Sequence, residues 1–302
     1  MRKTLGNLCV YCETDEIMNK EQREKSFRHQ KTLAKAVSKV KSFGAYHHTY
    51  CCYTTIDRVG EMLNSAHPCM WLTRLDAGLF DDGIEHSKYG YKKDRSRTYI
   101  KSFIYGSQEN AGMWGLYCPP TYKAIRLAIT KTGMEALRHA KCVRLRGGKC
   151  SSTIGSSRLV LSDIIYASVR DDETGSERSN CLFWNGVYTG AIKGLEKSKE
   201  WKCATGFVKD AEWRFENEFR LNIKTDKTYG SHIAIMLPPE FINGLSFTLS
   251  PWADKDELLF VKGKLCNWLK KSRRLVASED SKVFRKSVLS RGLKEWAKRR
   301  GL

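Results

Sequence analysis

The chain has 302 residues, of which 41% are hydrophobic and 28% charged, with 8 Trp, 13 Tyr and 12 Phe. That content supports a sizeable core and excludes a disordered chain, and no apolar run approaches the ~18–20 residues a membrane span needs. Lys and Arg outnumber Asp and Glu 53 to 33, a formal +20, so a polyanionic partner is expected. The excess is uneven: from Lys262 onward, 14 basic residues face 3 acidic ones, a net +11 over 41 residues.

The opening MRKTLGNLCVYCETDE lacks the apolar stretch of a secretory signal. Without one, the 11 cysteines read as reduced thiols of a cytoplasmic protein. Cys9 and Cys12 form a lone CxxC with no second ligand pair at finger spacing, so no metal is expected.

In chain order, Met18, Phe27, Leu33, Val37 and Val40 mark one face of a helix over about 15–43, an N-terminal helical extension spanning 1–43. A β-type run over 45–50 follows. Thr54 or Thr55 then caps a helix carrying Ile56, Val59, Met62 and Leu63. Strands are expected at 69–73, 97–105 and 122–129, with a long loop over 76–97 and another over 146–157. Met113-Trp114-Gly-Leu-Tyr117 reads as a packed helical turn. Further along come a strand over 159–167, a helix over 180–198, and strands near 201–208, 213–223, 232–236 and 245–249. Asp254 with Glu257 makes a capping box for a helix, and a last basic helix covers about 280–298. Strands broken by helices without regular βαβ alternation indicate α+β.

The most informative run is Trp213-Arg-Phe-Glu216-Asn-Glu218-Phe-Arg220-Leu-Asn-Ile223. As a strand it would turn Trp213, Phe215, Phe219, Leu221 and Ile223 to a core and Glu216, Glu218 and Arg220 the other way. Arg220 would keep at least one carboxylate ionised. Such a carboxylate can hold a ribose hydroxyl and steady positive charge at an anomeric carbon. A surface ion pair on a solvated strand is the bland alternative, and both stay open on these residues alone. Tyr46-His47-His48-Thr49 could hydrogen-bond a ribose or amide, and Tyr99 and Ser102 offer an aromatic face and a hydroxyl on a second strand.

The order YHHT, MWLTR, YIKSF, GMWGLY, then Lys209-x-x-x-Trp213-x-x-Glu216-x-Glu218-x-Arg220 and Ile242-Asn-Gly-Leu-Ser-Phe, resembles the bacterial domain-of-unknown-function family 2971 over about 45–271. That family is similar to the ADP-ribosyltransferase superfamily. The resemblance implies a split β-sheet core over 44–271 that binds NAD as substrate in a central cleft; the N-terminal extension and the basic C-terminal helix, expected over 272–302, fall outside it. It makes Glu218 the catalytic glutamate and Glu216 the residue that handles the acceptor. His47 with Thr49 would orient the nicotinamide-side ribose, with Tyr99 or Ser102, and Arg220, beside it. YHHT departs from relatives that carry glycine after the first His, and neither second-strand candidate stands in a clean motif. Joined to the charge, the resemblance implies transfer of ADP-ribose to nucleic acid, RNA or single-stranded DNA, by a toxin or phage-defence effector, with an antitoxin or chaperone as protein partner. A protein acceptor, or a non-catalytic basic nucleic-acid-binding protein, are the alternatives.

Overall fold

A computed structural model describes residues 41, 44–65, 67–77, 92–118, 120–146, 149–154, 158–171, 180–184, 187–191, 205–272, 274, 277 and 280–299. The helix expected over 15–43, apart from residue 41, the CxxC and most of the loop over 76–97 lie outside these.

The elements, in order, are β1 (Thr49–Thr55), α1 (Ile56–Leu63), β2 (Cys69–Arg74), α2 (Lys92–Arg95), β3 (Thr98–Tyr105), α3 (Ala111–Tyr117), β4 (Ala124–Thr130) and α4 (Lys131–Ala136). Then come β5 (Cys142–Arg146), β6 (Lys149–Thr153), β7 (Arg158–Asp163), β8 (Ile165–Asp171), β9 (Asn180–Trp184), β10 (Val187–Ala191) and β11 (Val208–Asp210). A 3-10 turn (Ala211–Glu216), β12 (Glu218–Lys224), β13 (His232–Met236), α5 (Pro239–Asn243), β14 (Leu245–Leu249), α6 (Lys255–Lys271), β15 (Phe284–Lys286) and α7 (Ser290–Arg299) complete the series. The fold is α+β: a large, mostly antiparallel sheet with helices packed on it, and a second, four-stranded sheet β10-β9-β8-β11. No helix among the described residues is long and apolar enough to cross a membrane.

The large sheet forks at β3. One edge of β3 pairs with β12 along its length, from Thr98↔Lys224 to Ile104↔Glu218. The other edge is shared, with β2 paired at Tyr99 and Ile100 and β1 at Ile104 and Tyr105. Residues 101–103 lie where those two strands part. The chain also turns from one sheet into the other at Ile164, between β7, which pairs with β12, and β8, which pairs in parallel with β11. Leu72, Phe103, Leu127, Phe219, Leu221, Ile233 and Phe247 pack one continuous core beneath the large sheet. Burying side chains of this size contributes roughly 1.5–3 kcal/mol each.

Local signals explain much of this. Thr55 caps α1 by accepting from Arg58 N–H, and Val59, Met62 and Leu63 turn inward. Gly60 lets α6 approach: a Cβ there would lie 2.9 Å from the Trp268 ring. The Asp254–Glu257 capping box starts α6, whose Val261, Leu265 and Leu269 are buried.

Several expectations are corrected. The run over 45–50 becomes strand only at Thr49. Residues 92–95 of the long loop are helical. Of the segment 146–157, Arg146 ends β5 and residues 149–153 form β6, antiparallel to it with Arg146 opposite Lys149, residues 147–148 and 155–157 lying outside the description. The strand over 159–167 is two strands broken at Ile164. The helix over 180–198 is the antiparallel pair β9–β10 with Trp184 opposite Val187, its residues beyond 191 lying outside the description. Asn185-Gly186, flanked by β-favouring residues, is the hairpin signal that helical periodicity obscured. Near 201–208 the strand begins only at Val208, residues 201–204 lying outside the description. The basic helix begins at Ser290, because Phe284–Lys286 first adds a parallel edge strand beside β14.

Candidate functional site

Residues 213–223 are not one strand. Asp210 caps the 3-10 turn by accepting from Glu212 N–H, and Asn217 ends it in the left-handed region at φ 49. Asn tolerates that conformation better than most residues because its short side chain hydrogen-bonds locally. Only from Glu218 does the chain run extended, with Phe219, Leu221 and Ile223 in the core as expected. Trp213 is half-buried and Phe215 is 48% exposed, so neither belongs to that core.

Glu218 lies at the corner of the two sheets. Its N–H donates to Tyr166 Oη of β8 at 2.7 Å, and its carbonyl accepts from Ile164 N–H. Its side chain is almost wholly buried. Oε1 accepts from Ser102 Oγ at 2.5 Å and from Arg220 Nε at 2.7 Å. Oε2 is ion-paired with Lys209 Nζ at 3.2 Å and, among the described residues, accepts no hydrogen bond. Lys209 balances the charge of that oxygen, and a ligand hydroxyl would give it the directed hydrogen bond it otherwise forgoes.

Lys209, on β11, ties the two acids together. Its Nζ donates to Glu216 Oε2 at 2.5 Å and sits 4.7 Å from the Trp213 ring centroid. The other Glu216 oxygen accepts from Tyr117 Oη. Burial pushes Glu218 up, but Arg220, Lys209 and the Ser102 hydrogen bond outweigh it and hold the carboxyl below the ordinary glutamate value. Burial likewise pulls Lys209 down, and Glu218 and Glu216 more than reverse it. Tyr166 is raised well above the usual phenol range, by burial first and by the Glu218 charge second. Arg220, buried too, is supported by the Gly206 carbonyl at 3.2 Å.

These groups line a cavity of about 340 Å³, into which Lys209, Trp213, Glu216, Glu218 and Arg220 all face, together with Ser102 and Tyr117. That volume is near the lower end for small-molecule sites, roughly 300–1,000 Å³. A second cavity, about 250 Å³, lies on the fork beside α1 and β2 and shares Cys52, Thr73, Lys101 and Phe103 with the first.

The structure therefore brings together Glu216, Glu218, Arg220 and Ser102. It does not bring His47, Thr49 or Tyr99 to them. His47 precedes β1, where its Nε2 lies 2.9 Å from Asp163 Oδ1 and its ring stacks on Tyr105 at 3.8 Å. It also meets the edge of Phe219, which faces away from Glu218 along β12. Thr49 pairs in register with Thr130 on the β1–β4 ladder. Tyr99 is fully buried, and its Oη donates to the Gly230 carbonyl and accepts from Tyr229 N–H, tying the β12–β13 connection. Ser102 is thus the second-strand residue at the carboxylate.

Lys209 stands in the spaced signature without a role the sequence assigns, and Trp213, expected in the core, lines the cavity instead. Tyr117 was read as packing, and nothing in the sequence pointed to Tyr166. Among the described residues no group of three or more His, Cys, Asp or Glu is placed to hold a metal ion. No family model, curated protein or solved structure matches the chain.

Proposed function

We propose that this chain is an ADP-ribosyltransferase that uses NAD as substrate and nucleic acid as acceptor, with a core of the split-sheet kind at the β3 fork. The observation that carries the proposal is the Glu218 carboxylate, charged and buried at a cavity wall, where among the described residues Oε2 has Lys209 at ion-pair distance and accepts no hydrogen bond. A ribose hydroxyl is the donor that oxygen suits, and the two adjoining cavities offer room for the two halves of a dinucleotide.

Glu218 would accept the ribose hydroxyl through Oε2 and place its negative charge beneath the anomeric carbon. The C–N bond to nicotinamide breaks with its electron pair leaving on the ring nitrogen, and Glu218 stabilises the cationic character left on the sugar. Ser102 and Arg220 hold the carboxylate in position through Oε1. Glu216 is the nearest group able to take the acceptor proton once Tyr117 or Lys209 yields a carboxylate oxygen. The +20 net charge favours a polyanionic acceptor over a protein one. A role as toxin or phage-defence effector fits such chemistry and rests on the family resemblance alone.

A specific observation favours a second reading, a non-catalytic basic protein: Glu218 is paired with two buried cations, as a structural ion network would be. Incubating the chain with NAD and RNA, and following nicotinamide release and label transfer, separates the two. Turnover that Glu218→Gln lowers by about 100-fold or more supports the transferase. Absence of turnover in the native chain, or full turnover in a folded Glu218→Gln variant, overturns it.

A further inference from the structure

Six large hydrophobic side chains stand well exposed among the described residues, and two of them are consecutive on α6: Leu259 at 58% and Phe260 at 52%. The helix buries Val261, Leu265 and Leu269 against the core. With about 3.6 residues per turn, its opposite face carries Asp256, Leu259, Phe260, Gly263, Asn267 and Lys270, every one of them exposed. Tyr122, half-buried, widens the apolar area, its ring T-shaped to Phe260 with centroids 6.5 Å apart. Lys264 Nζ lies 4.6 Å from the Phe260 centroid. Gly263 stands at the middle of this face. Glycine inside a helix is destabilising relative to alanine, yet nothing described in the chain uses the missing side chain: a Cβ there would meet no atom within 4 Å. Gly60, by contrast, makes way for Trp268. An outward glycine flanked by exposed Leu259 and Phe260 suits a helix that packs from outside the chain.

Charge selects what arrives. Lys255 apart, the acids of α6 stand at its start, Asp256 and Glu257, and its cations follow, Lys262, Lys264, Lys270 and Lys271. On the exposed face the two charges are Asp256 and Lys270, each seven residues from Gly263. An antiparallel helix of the same sequence crossing at Gly263 therefore sets each Asp256 against the partner subunit's Lys270, with Phe260 laid over the partner subunit's Gly263. A parallel one would set like charges side by side. A polyanion is poorly matched to this face, whose acid balances its cation and whose middle is apolar.

We propose that the outer face of α6 is a two-fold interface between two copies of this chain, packed on Leu259, Phe260 and Gly263 and keyed by a pair of Asp256–Lys270 contacts. Two-fold symmetry supplies both contacts from one complementary patch. A single helix pair buries little area, and each copy carries a net +20, so the dimer exchanges with monomer rather than being permanent. The interface stands apart from the chemistry assigned to Glu218 and needs neither NAD nor nucleic acid.

The test is sedimentation velocity of the full chain over a dilution series reaching about 100 µM, in about 0.15 M salt to screen the net charge. The native chain is expected to shift from monomer toward dimer as concentration rises. Phe260→Glu is expected to weaken the association by about tenfold or more while keeping the native melting temperature, since the side chain it replaces is exposed. Asp256→Lys and Lys270→Glu each place like charges opposite one another and are expected to weaken it as well. An equimolar mixture of those two variants is expected to recover the dimer, because the reversed charge of one complements that of the other. A mixture that associates no better than its components, or a dimer that Phe260→Glu leaves intact, overturns the proposal. A native chain that stays monomeric throughout also overturns it and leaves this face to a different partner.

Discussion

Glu218 keeps its charge where burial alone would remove it, because Arg220 and Lys209 stand on either side. Replacing Lys209 by Met leaves the two acids facing each other without the intervening cation. Glu218 should then titrate at higher pH, and the acid limb of NAD turnover should move toward neutrality, measurable as a pH–rate profile. The sign for stability follows from the same depression. In the native chain the Glu218 contribution is complete above the ordinary value of 4.5 and is lost as pH falls through the lower folded value. The Lys209 contribution is complete below 10.5 and lost as pH rises through its raised folded value. Glu218→Gln removes one partner of a buried network and should cost about 3–5 kcal/mol. Thermal melts should show that cost at neutral pH and a difference that shrinks only as pH falls below the ordinary value of 4.5 and through the lower folded one.

The elements around the site were legible in proportion to how local their signals are. The strands bearing Leu72, Phe103, Leu127 and Ile233, and the capped helices after Thr55 and Asp254, follow from alternation and capping that a few neighbouring residues specify. The signature Lys209…Arg220 marked the site, yet its geometry was misread, because apolar alternation suggested a continuous strand and hid the Asp210 cap and the Asn217 turn. His47 was misplaced for another reason: whether it faces Glu218 or Asp163 depends on the β1–β3–β12–β7 order, a long-range pairing no local pattern encodes. Gly206 links these levels. It adopts φ +78, its carbonyl receives Arg220 and Asn222, and a Cβ there would lie 2.1 Å from Asn222 Nδ2. Asn222 is itself buried and cannot swing aside. Gly206→Ala should therefore destabilise by about 1–3 kcal/mol and loosen Arg220, with a lowered urea midpoint and reduced NAD turnover as readouts.

Across the whole molecule the +20 charge has two opposed consequences that salt pulls apart. Like charges on one compact body repel, so screening them favours the folded state. Binding to a polyanion draws instead on counterion release, which added salt diminishes. Raising salt from about 50 to about 200 mM should therefore raise the melting temperature while weakening RNA binding by roughly tenfold or more, depending on how many phosphates are contacted. The helix Ser290–Arg299 belongs to the most basic stretch, and the strand Phe284–Lys286 before it is anchored in the large sheet beside β14. That anchor ties the basic C-terminal region to the large sheet that also carries Glu218. Charge reversal of the exposed Lys298 and Arg299 to Glu should then reduce the salt slope of RNA binding, because fewer phosphates are neutralised and fewer counterions released. A slope unchanged by that reversal would assign the attraction to cations elsewhere on the surface.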